Sequence, residues 1–166
     1  MNTVTVHDKM QSGYEYKLVE PMGKNFDEIF KPELTPKEML CLGVFGGKYL
    51  NDCTNEFPID WFVNAKLSET KKIELNYFSV DASQPLSEWI KKGWINSQDP
   101  RGWFQWYCRY FMGRRTPIED LRQIKRWRAF SRHAGAIRKH CEPFDFQCRK
   151  KQRQALLHWA YDARSI

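Results

Sequence analysis

The middle of the chain reads DPRGWFQWYCRYFMG over residues 99–113, and this stretch decides the fold. Asp99 and Pro100 form a cap-then-proline signal for a helix that starts near residue 101, and Gly113 ends it. Aromatic side chains fall on nearly every side of this helix, which leaves it no polar face for water. We therefore predict a central, buried helix over residues 101–112.

Two more helices are predicted after this one. Thr116-Pro117-Ile118-Glu119 has the form of a capping box, in which the threonine and glutamate side chains bind each other's backbone amides. The helix that follows carries apolar residues at three- and four-residue steps and would reach His140. Asp145 is a cap for a last helix over about 146–162, so the two helices would form an antiparallel hairpin.

The first hundred residues carry shorter signals. Thr35-Pro36-Lys37-Glu38 is another capping box, and Tyr14 and Tyr16 alternate with charged residues as in a hairpin or edge strand. The predicted fold class is mainly α, with a central aromatic-rich helix, a C-terminal helical hairpin and little β structure. All of residues 1–166 would form a single compact domain, in which an acidic part (1–99) wraps a basic helical part (100–166).

Charge is segregated along the chain. Residues 101–166 contain 16 Lys and Arg against 5 Asp and Glu, whereas residues 1–100 contain 11 against 15. A basic helical surface attracts polyanions, so the leading hypothesis is a small protein that binds DNA, RNA or another phosphate-bearing ligand. The residues expected to contact phosphates are Arg114, Arg115, Arg122, Arg126, Lys150 and Lys151.

A polar stripe crosses the aromatic helix. Arg101, Gln105 and Arg109 recur every four residues and would point the same way. A buried arginine needs a carboxylate or a bound anion, so the stripe indicates either an internal ion-pair network or a pocket for a nucleotide. The residues expected at such a pocket are Arg101, Gln105, Arg109, Trp103, Trp106, Tyr107 and Asn51.

A glycine-containing loop supplies the candidates for catalysis. It ends in Asn51-Asp52-Cys53, where Cys53 would act as a nucleophile and Asp52 as an acid or base. An enzyme acting on a nucleotide, nucleic acid or other anionic substrate is therefore one alternative function. The other is a structural or adaptor protein without catalysis, in which the acidic and basic parts neutralise each other.

Cysteines and histidines complete the sequence expectations. Five cysteines without a secretory signal indicate reduced thiols and a cytoplasmic protein. The spacing of His133, His140, Cys141 and Cys148 matches no zinc pattern, and we expect no metal and no cofactor. His158 and Asp162 are four residues apart, which predicts a surface hydrogen bond. No apolar run of about 18 residues is present, so no membrane span is expected.

Overall fold

The computed structural model describes residues 2–166, and the protein is mainly helical with one two-stranded antiparallel sheet. The strands are β1 (Asn2–His7) and β2 (Ser12–Leu18). The α-helices are α1 (Pro36–Leu42), α2 (Leu86–Lys91), α3 (Trp103–Met112), α4 (Pro117–Phe130), α5 (Arg132–His140) and α6 (Lys150–Leu157). Short 3-10 helices lie at Phe45–Gly47, Thr54–Glu56, Ile59–Phe62, Ile73–Leu75 and Ala163–Ser165.

The aromatic helix α3 is buried along its whole length, with Phe111 its one half-buried residue. It begins at Trp103, two residues later than predicted, because Asp99 does not cap it. The residue before it is Gly102, whose φ of 96° lies in the left-handed region that favours glycine. A Cβ there would also approach the ring of Trp89 to 3.1 Å. The start of α3 is therefore set by a backbone conformation and not by a side-chain cap.

The core is centred on a ring from the first part of the chain. Phe30 is buried, and its ring centroid lies 5.0 Å from that of Trp127 and 5.5 Å from those of Trp106 and Tyr110. Most of these pairs meet edge to face or tilted, an arrangement that aromatic quadrupoles favour. Residues 1–99 thus contribute to the same core as α3 and α4.

The predicted hairpin of two long helices differs in the structure. The segment after Thr116 breaks at Ser131 into α4 and α5, and α5 packs against α6, which spans only Lys150–Leu157. The predicted capping box at Thr116 does not form. Asp120 takes that role instead, since its Oδ2 accepts from the Thr116 backbone amide at 2.7 Å.

The cysteine prediction was wrong for one pair. Cys141 and Cys148 form a disulfide that closes the turn between α5 and α6, while Cys41, Cys53 and Cys108 are free thiols. An odd count leaves at least one thiol unpaired but does not prevent two of the five from bonding, and the turn between α5 and α6 brings the Cα atoms of Cys141 and Cys148 to 5.8 Å.

Candidate functional site

The polar stripe of α3 is an internal ion-pair network. Arg109 donates from Nε and Nη2 to the two carboxylate oxygens of Glu56, at 2.7 and 2.9 Å, and from Nη1 to Asp99 at 3.0 Å. Burial opposes its charge, yet the hydrogen bonds and charge of Glu56 leave the pKa of Arg109 above its ordinary value. Its donors are used, so Arg109 has no free group for a ligand.

Arg114 belongs to the same network. It was predicted to contact phosphates, but its side chain is buried and makes two hydrogen bonds to Asp99. The other predicted pocket residues around it are also interior groups. The indole of Trp106 donates to Asp120, the hydroxyl of Tyr107 donates to the Leu34 carbonyl, and the Gln105 side chain accepts from the Arg101 backbone.

Arg101 lies at the edge of a charged cavity of about 780 Å³, which is also lined by Asn51 and Asp52. Its Nη1 donates to Asp52 at 2.7 Å, and its Nη2 lies 3.3 Å from the carboxylate of Asp8. The Asn51-Asp52 loop and Arg101 are therefore brought together, as the sequence suggested, but the guanidinium is already paired with two carboxylates.

Cys53 lies behind this cavity and does not line it. Burial raises the pKa of its thiol to about 12, an effect that the charge of Arg101 offsets only in part. A neutral buried thiol is a poor nucleophile at physiological pH. The predicted role of Cys53 in catalysis thus finds no support in its surroundings.

Two more of the residues predicted to contact phosphates bind other groups of the protein instead. Arg115 donates to the carbonyls of Tyr110 and Lys24, and its guanidinium lies 3.8 Å from the Tyr110 ring centroid. Arg122 forms a salt bridge with Glu119 one turn away. Lys150 is half-buried and Lys151 is exposed, and neither has a salt-bridge partner among residues 2–166.

A different set of basic residues is left exposed. On α4 and α5 five exposed cations lack a salt-bridge partner within the described chain, and we call them the α4–α5 cations. They are Lys125, Arg128, Arg132, Arg138 and Lys139. The only acidic residues of the two helices are Glu119 and Asp120, which bind Arg122 and the start of α4 respectively. This part of the surface therefore carries an uncompensated positive charge.

A second cavity, which we call the aromatic cavity, opens beside these helices. Its volume is about 500 Å³, and the aromatic residues that line it include Trp89, Trp103, Phe130 and Trp159. Phe130 and Trp159 stack with ring centroids 4.9 Å apart, and Trp103 lies 4.8 Å from Trp159. Of the predicted pocket residues, only Trp103 lines this cavity.

Arg126 lies at the wall of the aromatic cavity, with its guanidinium 5.3 Å from the Trp159 ring centroid. Its Nη1 donates to the Trp94 carbonyl and the Gln123 side chain, and no carboxylate pairs with it in the described chain. Burial, with a smaller contribution from the charge of Arg122, lowers its pKa to about 10. Arg126 thus remains a cation at neutral pH while lacking an anion.

The prediction of a surface hydrogen bond for His158 was wrong. This residue makes no surface hydrogen bond with Asp162, which instead pairs with Arg164. His158 is buried against the aromatic cavity, and its ring stacks on that of Phe45 with centroids 4.3 Å apart. The signal in the sequence was its spacing from Gln154, which lies four residues earlier on the same buried face.

The hydrogen bonds of His158 fix its protonation. Its Nε2 accepts from the Phe45 backbone amide at 3.3 Å and lies 3.0 Å from Nε2 of Gln154. The Gln154 amide is oriented by the Phe78 amide, which donates to its Oε1, so its nitrogen is the donor. Nε2 of His158 is therefore unprotonated and the ring proton is on Nδ1. Burial, with the charge of Lys71, lowers the pKa of His158 to about 3.

The histidines and cysteines that were considered for zinc do not form a site. The structure joins Cys141 to Cys148, and within residues 2–166 no group of three His, Cys, Asp or Glu side chains could hold a metal ion. Over the same residues, no helix has both the length and the apolar character needed to cross a bilayer.

Comparison of the chain with protein-family models, with curated proteins and with solved structures finds no match. The geometry of the site is therefore the basis for assigning a function.

Proposed function

We propose that the protein binds nucleic acid, with the α4–α5 cations placed against the phosphates. The supporting observation is that these five exposed side chains have no carboxylate partners within the described chain, whereas Arg101, Arg109 and Arg114 are neutralised internally. A cation without a partner gains the most from a polyanion, because it neutralises phosphates and releases the counterions condensed on them.

The internal network also bears on the adaptor alternative. Acidic residues of the first hundred positions pair with three arginines of the basic part, as that alternative requires. This neutralisation ends at Arg114, however, and does not extend to α4 and α5. Of the seven exposed cations in residues 101–166 that lack a salt-bridge partner, five lie on these two consecutive helices, and this distribution favours a phosphate-bearing partner.

The test is a titration of fluorescently labelled single-stranded and duplex DNA and RNA, followed by anisotropy over about 50 to 200 mM salt. We expect the affinity to fall with salt on a log–log plot. The triple variant Lys125→Gln/Arg128→Gln/Arg138→Gln removes three α4–α5 cations. For a single strand, this variant should reduce the slope of log affinity against log salt concentration by roughly 2, because each lost phosphate contact accounts for about 0.7.

The matched control removes the same amount of charge elsewhere. Lys17, Lys24 and Lys31 are exposed and have no salt-bridge partners within the described chain. The variant Lys17→Gln/Lys24→Gln/Lys31→Gln should retain most of the affinity and the slope. Equal losses in the two triple variants, or no binding of any nucleic acid at low salt, would overturn the proposal.

A further inference from the structure

The aromatic cavity contains a donor that the protein does not use. Nδ1–H of His158 forms no hydrogen bond within the described chain, although both hydrogen bonds to Nε2 hold the ring in place. The ring lines the cavity, and Nδ1 is the ring nitrogen that no hydrogen bond occupies. A fixed N–H group at an apolar wall is suited to one acceptor atom of a ligand.

The other features of the cavity restrict the ligand further. Its volume of about 500 Å³ falls within the range of small-molecule sites, roughly 300–1,000 Å³. Trp159 and Phe130 are half-buried and stack on each other, so together they form an aromatic wall of the cavity. Planar heteroaromatic rings pack against aromatic walls, and they carry ring nitrogens or carbonyl oxygens that accept hydrogen bonds.

Positive charge lies at the same cavity. Arg126 is half-buried there without a carboxylate, and Arg132 is exposed where α5 begins. Arg132 donates only to the Ala129 carbonyl, so its charge is also uncompensated. A purely apolar ligand would leave the desolvated charge of Arg126 without an anion, and a purely anionic one would not use the aromatic walls.

We propose that the aromatic cavity binds one nucleotide whose base is unstacked from any neighbouring base. The base lies against Trp159 and Phe130, His158 donates from Nδ1 to a base acceptor, and Arg126 pairs with the phosphate. The base comes either from a free nucleotide or from a single strand held by the α4–α5 cations. Only the second source rests on the proposed function.

The first experiment uses free ligands and the tryptophan fluorescence of the protein. Nucleoside monophosphates should quench the emission of Trp103 and Trp159 with saturation. A nucleoside without phosphate, and ribose 5-phosphate without a base, should each bind at least about tenfold more weakly, since one hydrogen-bonded or stacked group is worth about that factor. The second experiment compares a short single strand with the same strand carrying an abasic position.

The variants separate the two parts of the site. Arg126→Gln should weaken nucleoside monophosphates at least about tenfold and the nucleoside much less, because the nucleoside has no phosphate to pair with the guanidinium. Lys31→Gln is the control with the same loss of charge at an exposed position outside the cavity. His158→Gln removes the Nδ1 donor and should weaken both ligands about equally. The comparison of ligands on the wild-type protein needs no variant to fold.

The outcomes distinguish this inference from the proposed function. Binding of free nucleotides without binding of strands supports the cavity and overturns the proposed function. Salt-dependent binding of strands supports the proposed function. If such strands bind equally with and without the abasic position, and free nucleotides neither quench the fluorescence nor respond to Arg126→Gln, the inference about the cavity is overturned.

Discussion

Asp99 and Arg114 form a two-point ion pair in the interior of the protein, with Nη1 to Oδ1 at 2.8 Å and Nη2 to Oδ2 at 2.7 Å. Oδ1 of Asp99 also accepts from Arg109 at 3.0 Å. One carboxylate therefore serves two buried guanidinium groups, and Glu56 supplies the second negative charge that they require. Buried ion pairs thus join the basic part (100–166) to the acidic part (1–99) in the interior of the protein.

Removing this carboxylate should destabilise the protein strongly. Asp99→Asn leaves two buried arginines with a single anion, and breaking a buried pair in this way costs about 3–5 kcal/mol. We expect that loss in the free energy of unfolding measured by urea denaturation. Asp60→Asn, at the exposed pair with Lys37, should cost less than about 1 kcal/mol. Comparable losses in the two variants would contradict the role given to Asp99.

The bond between Cys141 and Cys148 should stabilise the α5–α6 turn. Closing a short loop of this kind, with a sequence separation of 7, is worth about 2–3 kcal/mol. The variant Cys141→Ser/Cys148→Ser should lose that amount of unfolding free energy. A thiol reductant should lower the Tm of the wild-type protein and leave that of the double variant unchanged. An equal effect of reductant on both would show that the two cysteines are not bonded in solution.

Acid should destabilise the protein through His158. The folded state holds its pKa at about 3 against an ordinary 6.5, because burial disfavours the charged ring. The stability that the neutral His158 ring gives to the folded state is complete above pH 6.5. It is lost as the pH falls toward 3, because the unfolded chain binds a proton at a higher pH than the folded protein does. Between about pH 7 and pH 4.5 the wild-type protein should lose about 2–3 kcal/mol more unfolding free energy than His158→Gln. Parallel pH profiles for the two proteins would show that His158 titrates normally.

Cys53 should be protected from thiol reagents in the folded protein. A pKa of about 12 instead of 9.0 lowers its thiolate fraction about a thousandfold near pH 8, and burial restricts access further. Labelling with iodoacetamide, read out by peptide mass spectrometry, should modify half-buried Cys41 before Cys53 and Cys108. All three should be modified in denaturant. Fast labelling of Cys53 in the native state would restore it as a candidate nucleophile.

The sequence predicted the helices better than their ends. Local signals located a helix after Pro36, a helix rich in aromatics and a helix after Pro117, because helix starts and apolar periodicity are short-range properties. The ends depend on tertiary contacts. Asp99 has the chemistry of a cap but is used by Arg109 and Arg114, and Asp120 replaces Glu119 because it also accepts from the Trp106 indole.

The candidate site was predicted less well, for a related reason. The four-residue spacing of Arg101, Gln105 and Arg109 predicted that they share one face of the helix. An internal ion-pair network was one of the two interpretations of this stripe. Nothing local indicated which carboxylates would reach it, since Glu56 lies 53 residues from Arg109. The aromatic cavity likewise joins Trp89, Phe130 and His158 from separate parts of the chain, which no spacing rule connects.

Arg109 also donates to the side chain of Gln11, 98 residues earlier in the chain. The β1–β2 hairpin and α3 must therefore both be present before the charge of Arg109 is fully solvated by protein groups. During translation, the hairpin cannot make this contact until α3 has left the ribosome. A nascent chain that stalls before α3 would expose Glu56 and the Phe30 ring, which makes such a fragment a substrate for chaperones.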